Sequence, residues 1–274
     1  MVSFRHVLLA SSAFLTLTSA TNPRPHDTSV CSRQDLKVLS CTPAALTAND
    51  RCVESPSGLL LLTQLWNSDP GLGPPDRWTI HGLWPDYCNG SYPVSCDTSR
   101  AYSNIIEILE GYGQSRLLNY MRKLWRNDPA ITLTNGTDAD LWYHEWEKHG
   151  TCMSTLRPSC YRSYTSAREA VDYFAQTVFL DRRLPTYDYL AECGIVPSNS
   201  STYARAALEG CVRDANGGGL PHVHCSRQGV LTEVWWYYHL AGRVKGGKYV
   251  RTNTTFPSNC PAEGVKYLPK LGSH

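Results

Sequence analysis

Eleven cysteines behind an export signal constrain this chain more than any other feature. Arg5 and His6 precede an apolar stretch from Val7 to Leu17, and the small residues Thr18, Ser19 and Ala20 follow it. A basic start, a short apolar centre and small residues at a cleavage point form a secretory signal peptide, so residues 1–20 are expected to be removed. Residues 21–30, polar and with two prolines, read as a flexible leader. The apolar stretch is too short for a spanning helix, and no membrane association is expected. In an oxidising compartment disulfides are the default state of thiols. No C-x-x-C pair occurs, which weakens a zinc-ribbon reading. Because the count is odd, at least one sulfur must stay unpaired or bond another chain.

The rest of the chain is expected to be one domain, residues 31–274. Charged residues make up 18% and aromatic residues 11%, which argues against disorder. A net charge of +2 excludes a polycation, so any nucleic-acid binding has to come from a local patch. Leu59 to Trp66 is a short apolar run and predicts a buried strand; Asp69 to Asp76 is rich in Pro and Gly and predicts a loop; Trp78 to Trp84 predicts a second strand. Tyr102 to Trp125 reads as helix, interrupted near Gly111 and Gly113, and Asp138 to His149 as another, closed by Gly150. Ala167, Ala170, Val171, Phe174 and Val178 form one apolar helical stripe. Val230 to Leu240 alternates as a strand covered on both faces. The expected class is α+β, a mainly antiparallel central sheet flanked by helices and linked by disulfides. Four sequons, at Asn89, Asn135, Asn199 and Asn253, predict exposed, glycosylated loops.

Two segments carry chemistry. In His144-Glu145-Trp146-Glu147-Lys148-His149, about 100° per residue puts His144, Lys148, Glu145 and His149 at roughly 0°, 40°, 100° and 140°, on one arc of a helix. Glu145 and His149 are spaced i, i+4, which predicts that the carboxylate orients the imidazole and favours its charged form. His144 and Lys148 have the same spacing and suit an anionic substrate. The zinc motif His-Glu-x-x-His would need its second His where Lys148 stands, so no metal is expected. Alone, such a run reads equally well as a solvated helix face. The other segment, His81-Gly82-Leu83-Trp84-Pro85-Asp86, sets an imidazole at a strand end; alone it reads as a turn with a satisfied histidine. Together they hold the inventory for splitting a phosphodiester without metal: one imidazole to take a proton, another to give one, and a cation for the developing charge.

Thr79-Ile-His-Gly-Leu-Trp-Pro-Asp86 and Trp142-Tyr-His-Glu-Trp-Glu-Lys-His-Gly-Thr-Cys152 resemble the two active-site segments of the ribonuclease T2 family, secreted acid ribonucleases with little base preference. The likeness runs from about Cys31 to the Gly264–Pro269 tail, which resembles the fungal branch. It implies His149 as general base toward the ribose 2′-hydroxyl and His81 as general acid toward the departing 5′-oxygen. It further implies His144 as a phosphate ligand, Glu145 and Lys148 as transition-state stabilisers, a 2′,3′-cyclic phosphate hydrolysed to a 3′-phosphate, and no cofactor. Trp84, Asp86 and Tyr92 match a first base pocket, and Gln64 a second. The implied partner is single-stranded RNA, with a monomer and no obligate protein partner expected. The same resemblance pairs Cys41–Cys88, Cys52–Cys160, Cys96–Cys152 and Cys225–Cys260. Fungal members carry adjacent cysteines where this chain reads Cys52-Val53, which leaves Cys31 without its expected partner. Cys193 and Cys211 lie outside that set and are expected to pair, with Cys31 bonded to one of them as the rival. A binding module without catalysis and a metal-dependent hydrolase are the competing classes.

Overall fold

A computed structural model describes residues 31–128 and 136–272. The signal peptide and leader, and the Asn135 sequon, lie outside the described residues. Largely buried runs rich in aliphatic and aromatic residues build the central strands of the sheet: β1 (Leu59–Leu65), β2 (Thr79–Asp86), β4 (His222–Cys225), β5 (Leu231–Ala241) and β6 (Lys248–Arg251), with β3 (Thr202–Tyr203) and β7 (Val265–Lys266) paired separately. The order is β2-β1-β5-β4, and β6 pairs with the far end of β5. Every one of these pairings is antiparallel.

Alternation along the strands sorts side chains onto two faces. Leu60 and Leu62 on β1 and Val234 and Trp236 on β5 enter the main core with Phe174 and Val178. These last two belong to α5 (Arg168–Asp181), the fifth helix after α1 (Pro43–Thr47), α2 (Ile105–Gly111), α3 (Ser115–Leu124) and α4 (Asp138–Lys148); α6 (Thr186–Glu192) and α7 (Arg205–Ala215) follow. On the other face Leu59, Leu61 and Tyr237 form a small apolar floor against Trp84 and Trp235. Helices cover the first face; the second carries the cleft.

The disulfides correct one expectation. Cys31 bonds Cys52, with Cα atoms 5.5 Å apart, so the expected Cys52–Cys160 bond does not form and Cys31 is not the orphan. Cys52 has one sulfur to offer, and the turn in which its N–H donates to Asn49 presents it to the incoming Cys31. The free cysteine is Cys160, buried, its Sγ 3.4 Å from the Ser154 carbonyl. The remaining bridges are Cys41–Cys88, Cys96–Cys152, Cys193–Cys211 and Cys225–Cys260. Two of them fasten both ends of the loop after β2, and Cys225–Cys260 ties the Phe256 segment to β4. Among the described residues no helix is long and apolar enough to cross a membrane. Asn89, Asn199 and Asn253 are exposed.

Candidate active site

The first imidazole is placed by an irregularity in the sheet. Thr63 faces Gly82 and Gln64 faces Ile80, so His81 is an extra residue bulged out of β2. A bulge re-aims its side chain away from the regular alternation. The Thr63 hydroxyl fixes the spot, accepting from the Gly82 N–H at 3.0 Å and donating to its carbonyl at 3.2 Å. Trp125 Nε1 donates to the His81 carbonyl at 2.7 Å.

The second group comes from α4. Its N-terminus is closed by Asp140, which accepts from the Thr137 N–H at 2.6 Å. Trp142 and Trp146, spaced i, i+4, bury one face of the helix, and their indole N–H groups donate to the carbonyls of Trp125 and Arg100. The opposite arc therefore meets the cleft. A Cβ at Gly150 would overlap the Trp146 ring, so a glycine is required just where the helix ends.

His81, His144, Glu145, Lys148 and His149 line one cavity of about 540 Å³, together with Trp84, Asp86 and Tyr92. Trp84 is its centre. Its ring stacks on His149 at 5.0 Å, meets His81 edge-on at 4.9 Å, and donates Nε1–H to Glu145 Oε2 at 2.7 Å. A Cβ at Gly82 would collide with the Glu145 carboxylate, so strand and helix approach this closely only through glycine. Asp86 is buried, and Tyr92 is 59% exposed at the rim.

Two expectations fail here. Glu145 does not orient His149: its free oxygen lies 3.6 Å from His81 Nε2, because the end of α4 turns His149 onto Trp84 instead. Gln64 is not in the cleft. It points to the core face of β1, where its amide donates to Asp181 and accepts from Thr186 and Trp236. The sequence reading also passed over residues that line the cavity from the other side, His222, Trp235, Phe256 and Pro257, and Glu233 behind His81. A charged residue inside an otherwise apolar strand was the available signal for Glu233.

Electrostatics separates the two buried imidazoles. Burial lowers the pKa of His81, but Glu233 and Glu145 outweigh it and the net shift is upward. Burial drives His149 well below its ordinary value, and Lys148, His81 and His144 push it further the same way. His144 is lowered by burial and by Lys148. Burial lifts Glu145 to about 7 against the pull of His81, Trp84 and Lys148, and burial alone lifts Asp86 to about 7. One buried ring thus favours carrying a proton and the other favours lacking one, the two starting states that general acid–base catalysis requires. The donor atoms of His144, Glu145 and His149 lie within 4.8 Å of one another. Glu145 is already bonded to Trp84, and Lys148 adds positive charge beside both rings, a poor arrangement for a cation.

Comparison with known proteins agrees with this geometry. Residues 57–260 match the model of the ribonuclease T2 family. Ribonuclease T2 of Aspergillus oryzae is 44% identical over 231 residues, 84% of this chain and 81% of that protein. Ribonuclease Le2 of Lentinula edodes is 42% identical over 233 residues, 85% of this chain and 94% of that protein. The crystal structure of Actibind, a T2 ribonuclease, superposes with a TM-score of 0.80 at 42% identity, covering 88% of this chain and 98% of that one.

Proposed function

The chain belongs to the ribonuclease T2 family and is an endoribonuclease of that family, and from this premise we propose that it is exported and cuts single-stranded RNA through a 2′,3′-cyclic phosphate with little regard to base. The opposite bias of His81 and His149 across one cavity carries the reading. Neutral His149 takes the proton of the ribose 2′-hydroxyl. The 2′-oxygen attacks phosphorus, the bond from phosphorus to the 5′-oxygen breaks, and His81 gives that oxygen its proton. In the second step the roles reverse: His81 accepts a proton from water, and His149 returns one to the 2′-oxygen. His144 and Lys148 face the phosphate. Glu145, held up to about 7, is largely protonated in acid and can then donate from its unbonded oxygen to a phosphoryl oxygen rather than repel it.

Trp84, Tyr92 and Asp86 form the pocket for the base on the 5′ side. Stacking on aromatic rings tolerates any base because each has a π-face, which supports low specificity. The five disulfides among the described residues support an oxidising, extracellular destination, and the proposed enzyme acts as a monomer without an obligate protein partner. The exposed Asn89, Asn199 and Asn253 are then the glycan acceptors among the described residues.

The test is incubation of RNA, and of DNA of the same sequence, with the protein in EDTA. RNA is expected to be cut and a cyclic phosphate to accumulate transiently in the phosphorus NMR spectrum, while DNA survives. Efficient DNA cleavage, or full inhibition by EDTA, would overturn this reading.

A further inference from the structure

A carboxylate from a strand outside both active-site segments reaches the back of the general acid. Glu233 lies on β5, paired with His224 of β4, on the cleft face of the sheet. It is 7% exposed. Its Oε2 lies 3.5 Å from His81 Nδ1 and accepts from Trp235 Nε1 at 2.8 Å, while its Oε1 lies 3.6 Å from His224 Nδ1. His81 Nδ1 is itself buried and closed by no hydrogen bond. At 3.5 Å the contact has ion-pair range, and a small rotation of the ring completes it. Catalytic hydrogen bonds that are long in a free enzyme commonly tighten when substrate binds.

We propose that Glu233 is the positioning carboxylate of the general acid: it accepts a hydrogen bond from the Nδ1–H of His81, which fixes the ring so that Nε2 carries its proton toward the leaving 5′-oxygen. This rests on the ribonuclease reading above. The arrangement follows the logic by which a buried carboxylate holds an imidazole in one tautomer and steadies its cation.

The neighbours of His81 single out Glu233 for this work. From α4 come Glu145, at Nε2, and the positive Lys148; His144 and His149 lie beyond. Glu145 is bonded to Trp84, and burial raises it to about 7, so in acid it is often uncharged. Glu233 goes the other way: burial would raise it, but His81, Trp235 and His224 bring it below its ordinary value. It is the anion that persists where a family of this kind works. His224, half-buried behind it, is the second titratable group that draws on the same carboxylate.

The test separates leaving groups. A dinucleoside monophosphate expels an alkoxide, which needs a proton, whereas uridine 3′-(4-nitrophenyl phosphate) expels a phenolate, which does not. Glu233→Gln is expected to lose about 10–100-fold in kcat on the first, part of the roughly 10²–10⁴-fold that a general acid contributes, and nothing on the second, and the alkaline limb of its pH profile is expected to move to lower pH. Glu233→Asp, which keeps the charge one carbon further back, should fall between Gln and wild type with the same split; it also serves if the Gln variant fails to fold. Imidazole NMR should show His81 losing its proton at lower pH in the variant. Equal losses on both substrates, or an unmoved alkaline limb, would overturn the role of Glu233. Failure of the wild-type protein to cut RNA would instead overturn the ribonuclease reading itself.

Discussion

His81 and His149 are removed from water to nearly the same degree, 8% and 5% exposed, and both rings lie against Trp84. Burial alone would make both neutral. What parts them is the sign of the charges set around each. His81 stands between Glu145 and Glu233, and the net effect is to keep its proton. His149 stands beside Lys148, His144 and His81, and loses its own well below the ordinary range. In the proposed mechanism acid and base are thus made from one residue type by two local fields, and desolvation, which both share, magnifies the difference because charges act more strongly where water is excluded.

The largest effects should come from deleting each ring. His149→Ala and His81→Ala are both expected to lose about 10²–10⁴-fold in kcat on RNA. They should differ on the aryl phosphate, where His81→Ala recovers and His149→Ala does not. Steady-state rates of the two variants on the two substrates check this. If both recover, or neither does, the assignment of acid and base is wrong.

Gly82→Ala attacks the contact that lets β2 and α4 meet. The added methyl group overlaps Glu145 and crowds the Trp84 indole nitrogen, so the Glu145 carboxylate must leave its place. Overpacking of this kind costs about 1–3 kcal/mol of stability, and the rate is expected to fall about 100-fold as a positioning group is lost. Thermal unfolding and kcat on RNA measure the two separately. A variant as active as wild type would show that Glu145 is not held by this approach.

The pH profile reads both fields at once. kcat/KM is expected to be bell-shaped, rising through the titration of His149 below pH 6.5 and falling through that of His81 above it, because a lowered base and a raised acid leave the productive pair populated between them. Glu145→Gln should lower the plateau and move the alkaline limb less than Glu233→Gln does. An acid limb that shifts in either variant would mean that the carboxylates act on His149 as well.

The sequence made the residues of both motifs legible because each is short and local. A helix of known period puts His144, Glu145, Lys148 and His149 on one arc whatever the rest of the chain does. The strands β1, β2 and β5 and the break between α2 and α3 were readable for the same reason. What depends on pairing across the sheet was not. The β1–β2 bulge, which aims His81 at the cleft, is a property of two strands together, whereas Gln64 follows Leu60 and Leu62 onto the core face by the plain alternation of β1. Glu233 reaches His81 only because β5 is the partner of β1 and β4. The choice of Cys31 as the partner of Cys52 depends on how the first described turn folds back, and the free sulfur falls on Cys160.

The smallest effect should come from Trp84, which touches both rings but bonds to only one side. Trp84→Phe keeps an aromatic face on His149 and for the base, and removes the N–H that Glu145 accepts at 2.7 Å. A hydrogen bond to a charged group contributes about 1.5–3 kcal/mol. Without it the ionised form of Glu145 is less favoured, its pKa rises further, and it supports the His81 cation less. The alkaline limb is therefore expected to move to lower pH, and kcat on RNA to fall by roughly 10-fold because the bond that aims the second oxygen of Glu145 at the phosphate is lost, the lower end of that energy at about 1.4 kcal/mol per decade. The acid limb, which belongs to His149, should stay in place. Trp84→Ala removes the ring as well, and should add a loss of roughly 1–3 kcal/mol in substrate affinity from base stacking. If Phe and Ala shift both limbs alike, Trp84 acts through the shape of the cleft, and the separation between the two imidazoles does not depend on its indole nitrogen.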